Sequence, residues 1–297
     1  MTPDASTTGP AWTPVDDLDD PRLVPYRNQK DAWLRVQRNG GTGLGGRFLA
    51  EGEIVAGELL ASAYPVESVL ITPTRLETLR PELERLPGGT PVFIAERPLA
   101  ERIVGFDMHR GVLALGRRTP GPSVAELAES CNALLVLEGL SNHDNIGSLY
   151  RSFSALGPPR RGVVLAPGCA DPLYRKALRV SMGHALRVPT ATADEWPGDL
   201  EVLDGAGFET LALTPEADAI PIADLQLRSP PARVALMVGA EGPGLSEAAM
   251  SACRHRARIP MAPGVDSLNV AVAAAIALAA VCEPAPNEGT SAAGSRL

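Results

Sequence analysis

Ile259-Pro260-Met261-Ala262-Pro263-Gly264-Val265-Asp266-Ser267-Leu268-Asn269-Val270 runs straight into Ala271–Cys282, a stretch without a single charge. A Ser-x-Asn pair, Ser267 and Asn269, therefore stands at the mouth of a helix that is apolar on every face. Such a helix is normally buried. The expectation is a core helix with Ser267 and Asn269 on an interior loop. The stretch is also too short to cross a bilayer, which takes roughly 20 apolar residues.

Working outward, the runs Ala133–Leu137, Gly162–Ala166, Glu209–Leu213, Arg233–Val238 and Arg256–Ile259 read as strands separated by helical patterns. That alternation predicts an α/β domain over 133–283 with a mainly parallel sheet. Ligands bind beyond the carboxyl ends of such strands, and two more polar clusters follow strands here. One is Glu138-Gly139-Leu140-Ser141-Asn142-His143-Asp144-Asn145-Ile146-Gly147-Ser148-Leu149-Tyr150-Arg151. The other is Val238-Gly239-Ala240-Glu241-Gly242-Pro243-Gly244-Leu245-Ser246. Taken singly, Asn145 is a helix cap, Arg151 a surface cation and the glycines turn residues.

Between Phe48 and Arg118 short apolar runs alternate with helical patterns (helices 53–62 and 76–86; strands 68–71, 91–95 and 112–115), which describes a small α/β domain over 21–118. Residues 119–132 read as a linker. Residues 1–20 and 284–297 read as disordered tails, the first acidic. Gly41-Thr42-Gly43-Leu44-Gly45-Gly46 matches G-x-G-x-x-G, but a dinucleotide fingerprint must follow a strand and open a helix. Here a basic helical pattern precedes it, so it reads as a loop.

The net charge of −8 over 297 residues argues against a nucleic-acid partner until its distribution is read. Residues 1–20 hold five Asp and no Lys or Arg. Residues 21–47 hold Arg22, Arg27, Lys30, Arg35, Arg38 and Arg47 against the single acid Asp31. A basic face of that kind permits phosphate contacts, although solvated surface charge explains any one arginine equally well. Four cysteines without CxxC spacing argue against zinc and against disulfides, and so for a reducing cytoplasm. No signal peptide is evident.

Together, N-x-G-x-x-x-R from Asn145 to Arg151, G-x-E-G-x-G from Gly239 to Gly244 and I-P-M-x(5)-S-L-N-V from Ile259 to Val270 resemble the three motifs of the SpoU/TrmH-type branch of the SPOUT methyltransferases. The resemblance covers about Ala133 to Cys282. Arg175–Gly183 is similar to the stretch between the family's first two motifs. More weakly, the N-terminal region, closed by His109-Arg110-Gly111-Val112-Leu113-Ala114, resembles the small RNA-binding domain that precedes the catalytic domain in many members.

The resemblance implies a deep trefoil knot in the C-terminal domain, a feature otherwise nearly absent from proteins. It implies transfer of a methyl group from S-adenosylmethionine to a ribose 2′-hydroxyl of structured RNA by a homodimer, without a metal or a membrane. Main-chain groups of Thr214, Gly239, Ile259 and Leu268 would hold the cofactor. Asn145, Arg151, Glu241, Ser267 and Asn269 would form the catalytic set, and Arg22, Arg27, Lys30, Arg35, Arg38 and Arg47 would meet RNA. Arg151 matches an arginine sometimes assigned as general base. A guanidinium stays protonated at ordinary pH, so a phosphate clamp that stabilises the developing alkoxide is the preferred role. Where other members have an acidic-Pro pair, this chain has Asn142-His143-Asp144, which leaves His143 as a plain loop residue or an extra RNA contact. The small N-terminal domain favours ribosomal over transfer RNA. A knotted RNA-binding protein without turnover and a base-methylating enzyme are the competing classes.

Overall fold

The computed structural model describes residues 9–35, 46–227 and 233–282. The chain divides into two compact units. One takes in Met1–Pro120 with Asn142–Arg151 and Ala170–Arg187; the other takes in Gly121–Ser141, Ser152–Cys169 and Val188–Leu297.

The first unit begins with β1 (Ala11–Val15), a 3₁₀ turn at Pro21–Tyr26 and α1 (Asp31–Arg35). It continues through β2 (Arg47–Glu51), α2 (Glu53–Leu60), β3 (Val66–Ile71), α3 (Pro73–Leu83), β4 (Pro91–Ala95), α4 (Arg97–Val104) and β5 (Val112–Arg117). Its sheet runs β1-β4-β3-β5-β2, with β1, β4 and β3 parallel and β5 antiparallel to both neighbours. Two expectations fail here. Residues 11–20, expected as part of a disordered tail, include edge strand β1, where Pro14 is tolerated because an edge need not donate every N–H. The acidic run ends in a cap: buried Asp20 accepts from the Arg22 N–H at 2.9 Å and opens the 3₁₀ turn. The basic helical pattern expected ahead of the glycine loop is the 3₁₀ turn plus α1, interrupted between them; residues 36–45, with Arg38 and most of the glycine loop, lie outside the described residues.

Next in the chain come α5 (Val124–Ser130), β6 (Ala133–Leu137), α6 (His143–Leu156), β7 (Arg161–Leu165), α7 (Arg175–Val180), β8 (Thr190–Thr192), α8 (Asp199–Gly205), β9 (Phe208–Leu213), β10 (Ile220–Pro221), β11 (Arg233–Val238), α9 (Glu247–Ala252), β12 (His255–Arg258) and α10 (Val270–Val281). The seven strands form one sheet, β10-β12-β9-β11-β6-β7-β8, parallel at every pairing. β6 is buried at all five positions, as a strand covered on both faces requires. The expected linker 119–132 carries α5, which Ser123 and Glu126 open with a reciprocal capping box and whose Val124, Leu127 and Ala128 join the core. The N-terminal part of α6 and all of α7, expected within the 133–283 domain, group with the first unit. Arg175 on α7 pairs with Asp31 on α1 at 3.0 Å.

The opening helix also differs from expectation. α10 buries Val270, Ala271, Ala274, Ala277 and Leu278, but Val272 is 49% and Ile276 42% exposed. The loop before it is exposed from Ala262 through Asn269. An all-apolar helix has no polar face to orient it, and this chain covers only one side. Among the described residues no helix is long and apolar enough to cross a membrane.

Candidate active site

β12, β9 and β11 are parallel neighbours, so their carboxyl ends share one edge of the sheet. The segments leaving those ends, with the loop into α10, enclose a cleft of about 400 Å³. Leu213, Thr214 and Pro215 follow β9; Val238, Ala240, Glu241, Gly242 and Gly244 follow β11; Ile259 and Met261 follow β12. Ser267, Leu268 and Asn269 close it from the α10 side. Of the nine cofactor and catalytic residues expected from sequence, six line this cleft. Gly239 sits between the lining residues Val238 and Ala240. Asn145 and Arg151, both on α6 in the first unit, are not among the lining residues.

Local chemistry explains the shape. A Cβ on Gly239 would stand 2.3 Å from the Gly244 carbonyl carbon and the Leu245 nitrogen, so only glycine lets the 239–245 loop fold back on itself. The Gly244 N–H closes that loop onto the Ala240 carbonyl at 2.9 Å. Asn269 is the N-cap of α10, its Oδ1 accepting from the Ala271 and Val272 N–H groups at 3.0 and 3.3 Å. Those bonds orient the amide so that Nδ2 donates to Glu241 Oε1 at 3.3 Å, which ties the second motif to the third. Thr214, 8% exposed, donates its N–H to the Ala257 carbonyl at 2.9 Å and joins the ends of β9 and β12.

Sequence reasoning missed Glu138, the first residue after β6. Its Oε1 accepts from Trp196 Nε1 at 2.6 Å and Ser246 Oγ at 2.8 Å, and its Oε2 accepts from the Ser246 N–H at 2.8 Å. Ser246 caps α9 through Ala249. One carboxylate thus anchors the far end of the loop that lines the cleft. The available signal was an acid directly after a fully apolar strand.

On α6, Asn142 takes the capping role: its Oδ1 accepts from the Asp144 N–H at 2.9 Å, while Asn145 lies inside the helix and is 6% exposed. Arg151 is exposed. Gly147 on the same helix is packed so tightly that a Cβ would meet the Ala177 carbonyl oxygen at 2.7 Å. His143 stacks on Tyr174 with ring centroids 4.8 Å apart.

The residues expected to meet RNA are largely engaged within the chain. Arg22 pairs with Asp20 at 2.5 Å, and Arg27 donates to the Leu18 and Asp20 carbonyls at 2.5 and 2.9 Å. Arg35 lies 3.5 Å from Asp171, Arg47 pairs with Glu67, and Lys30 lies 5.0 Å from the Trp33 ring centroid.

Comparison with known proteins gives consistent matches. A family model described as the SpoU rRNA Methylase family matches residues 132–279. A Mycobacterium tuberculosis protein described as an uncharacterized tRNA/rRNA methyltransferase is 43% identical over 263 residues, 89% of each chain. The SpoU methyltransferase AviRb from Streptomyces viridochromogenes, solved in complex with the cofactor AdoMet, is 25% identical with a TM-score of 0.69, over 88% of this chain and 97% of that one. An AdoMet-bound rRNA methyltransferase from Sinorhizobium meliloti shares the fold at a TM-score of 0.73 and 21% identity, over 91% and 97% of the two chains.

Proposed function

The chain belongs to the SpoU rRNA methylase family, and from that premise we propose that it transfers a methyl group from S-adenosylmethionine to a ribose 2′-hydroxyl of structured RNA, ribosomal RNA first. The observation that carries this is the cleft at the ends of β9, β11 and β12. Its volume of about 400 Å³ falls within the roughly 300–1,000 Å³ of small-molecule sites. Leu213, Val238, Ile259, Met261 and Leu268 give it apolar walls suited to an adenine ring. Among the described residues Glu241 is the one charged lining side chain, which suits a ligand bearing a sulfonium and an ammonium better than one bearing phosphates.

When bound, S-adenosylmethionine supplies an electrophilic methyl carbon on a positively charged sulfur. Gly239, Ile259 and Leu268 would hold it through main-chain N–H and C=O groups, and Thr214, whose N–H is taken by Ala257, through its C=O. Glu241 and Asn269, already bonded to each other, act with Ser267 to orient the ribose; Asn145 is assigned to the catalytic set by its match to the first motif. Arg151 clamps the target phosphate and stabilises negative charge on the 2′-oxygen, whose proton leaves to that phosphate or to water. Among the described residues Arg151 makes no hydrogen bond or ion pair, which supports a guanidinium kept for substrate.

The trefoil knot, a cytoplasmic location and a homodimer complete the proposal. For the dimer, the supporting feature is the pair Val272 and Ile276, one turn apart on α10 and 49% and 42% exposed; exposed apolar surface marks interaction sites.

Incubation with labelled S-adenosylmethionine and separated RNA fractions, followed by mapping of the methyl group to sugar or base, tests the chemistry. Label on ribosomal RNA sugars is expected. Label confined to transfer RNA changes the substrate, and label on a base changes the reaction. Arg151→Ala is expected to abolish transfer while cofactor affinity stays within a few fold; near-normal turnover would remove Arg151 from the mechanism.

A further inference from the structure

A second cleft, of about 460 Å³, lies wholly within the first unit, between the end of β2, the turn before β5 and α7. Three arginines line it: Arg110, Arg175 and Arg179. They differ in how far their charge is already matched.

Arg175 is held in place. Its Nε donates to Asp31 at 3.0 Å, its Nη2 donates to the Gln29 carbonyl at 2.7 Å, and its guanidinium lies 5.5 Å from the Phe106 ring centroid. Arg179 forms an ion pair with Glu51 at 3.9 Å, too long for a hydrogen bond, and its side chain is 42% exposed. Arg110 is exposed and, among the described residues, makes no hydrogen bond or ion pair. It is nevertheless not loose. It lies across Gly52, where a Cβ would stand 2.7 Å from its Cδ and 3.3 Å from its Nη1. Gly52 has a φ of 91°, a backbone state that favours glycine, so the same residue makes the turn and leaves room for the arginine. Asp107, the other acid of the cleft, is already engaged by His109 at 2.8 Å and Arg97 at 3.1 Å.

Among the described residues, one unpaired guanidinium, Arg110, and one held only by a long ion pair, Arg179, therefore face one concave site. Arginine forks suit phosphate oxygens. We infer that this cleft binds the phosphodiester backbone of the RNA substrate, with Arg110 and Arg179 as the donors and Arg175 as a fixed wall. The assignment rests on the RNA methyltransferase function proposed above, and it moves the backbone contact from the 22–47 segment, whose cations are mostly engaged, to the turn before β5 and to α7.

The test uses the full chain, wild type beside Arg110→Gln, Arg179→Gln and the double variant, with Arg85→Gln as an exposed charge-loss control. Binding to a structured ribosomal RNA transcript is followed by fluorescence anisotropy between about 50 and 200 mM salt, and S-adenosylmethionine binding by calorimetry. Each single variant is expected to weaken RNA binding and lower the slope of log Kd against log salt by about one, and the double variant by about two. Cofactor affinity should match wild type, and Arg85→Gln should leave RNA binding close to wild type. A double variant with wild-type affinity and slope, or an Arg85→Gln effect of the same size, overturns the assignment. A wild-type protein that binds cofactor but no RNA instead removes the function proposed above, and this site with it.

Discussion

The first unit and the cleft of the second handle charge in opposite ways. In the first, arginines hold the structure: Arg47 and Arg117 share Glu67, Arg118 and Arg35 share Asp171, Arg175 takes Asp31 and Arg187 takes Glu58. In the second, no Lys or Arg is among the described residues that line the cleft. Its shape comes from a glycine turn, a helix cap and one carboxylate that gathers three donors. Residue type alone therefore says little about an arginine, because the same side chain can brace a sheet or wait for a phosphate. A glycine that must lack a Cβ, or an asparagine that caps a helix, is tied to one place by geometry.

The largest effect should come from adding one carbon where the second unit has no space. Gly239→Ala puts a Cβ 2.3 Å from main-chain atoms of Gly244 and Leu245, which only backbone movement can relieve. Overpacking of this kind costs about 1–3 kcal/mol, and the loop that must move lines the cleft. Calorimetry should show loss of S-adenosylmethionine binding in a chain that remains folded. Retention of wild-type affinity would mean that the 239–245 loop does not shape the site.

Next is Glu138→Gln. Both carboxylate oxygens accept hydrogen bonds from N–H or O–H groups, so an amide NH₂ in either position faces a donor. Leaving a partner of a charged hydrogen bond unsatisfied costs about 1–3 kcal/mol. KM for S-adenosylmethionine is expected to rise more than kcat falls, because the loop is loosened while Arg151 is untouched. A change confined to kcat would instead give Glu138 a part in the chemistry itself.

A smaller structural effect, though a clear change of assembly, is expected on α10. Val272→Asp and Ile276→Asp alter positions that are about half exposed, so stability should move by no more than about 0.5 kcal/mol. Sedimentation should show a dimeric wild type and a monomeric double variant. A wild type that sediments as a monomer would leave the exposed face of α10 without its proposed partner.

Much of this was legible in the sequence, for identifiable reasons. The strands 91–95, 133–137 and 233–238 have the bounds expected of them, because their largely buried apolar residues leave a nearly continuous signal. The third motif pointed to Asn269, and the cap geometry gives the reason: a residue that opens a helix is set by local backbone chemistry. The Ser123-to-Glu126 capping box was equally visible, yet the prolines and glycine beside it made the stretch read as a linker. β1 was hidden by the acids that follow it. The burial of α10 was overestimated because an unbroken apolar pattern does not tell a side packed within the chain from a side left for another surface. Glu138 and the partners of the arginines depend on contacts between residues far apart in sequence, which no local pattern records.

The smallest effect should appear in the first unit, at Glu67. Burial raises its carboxyl pKa, but hydrogen bonds from Arg47 and Arg117 outweigh that and leave it below the ordinary value of 4.5. A carboxyl lowered in the folded state stabilises the fold above its unfolded pKa and loses that contribution as pH falls through the folded value. Glu67→Gln should therefore lower Tm near neutral pH, and the gap to wild type should close as pH drops below about 4.5. Because Arg117 is 61% exposed, solvent screens part of the interaction, and the gap should not exceed about 2–4 °C. Thermal unfolding of both proteins from neutral to acid pH measures it. A gap that stays constant across that range would show that Glu67 contributes through packing rather than charge, and the contrast between an ion-paired first unit and a second-unit cleft without basic side chains would lose its clearest example.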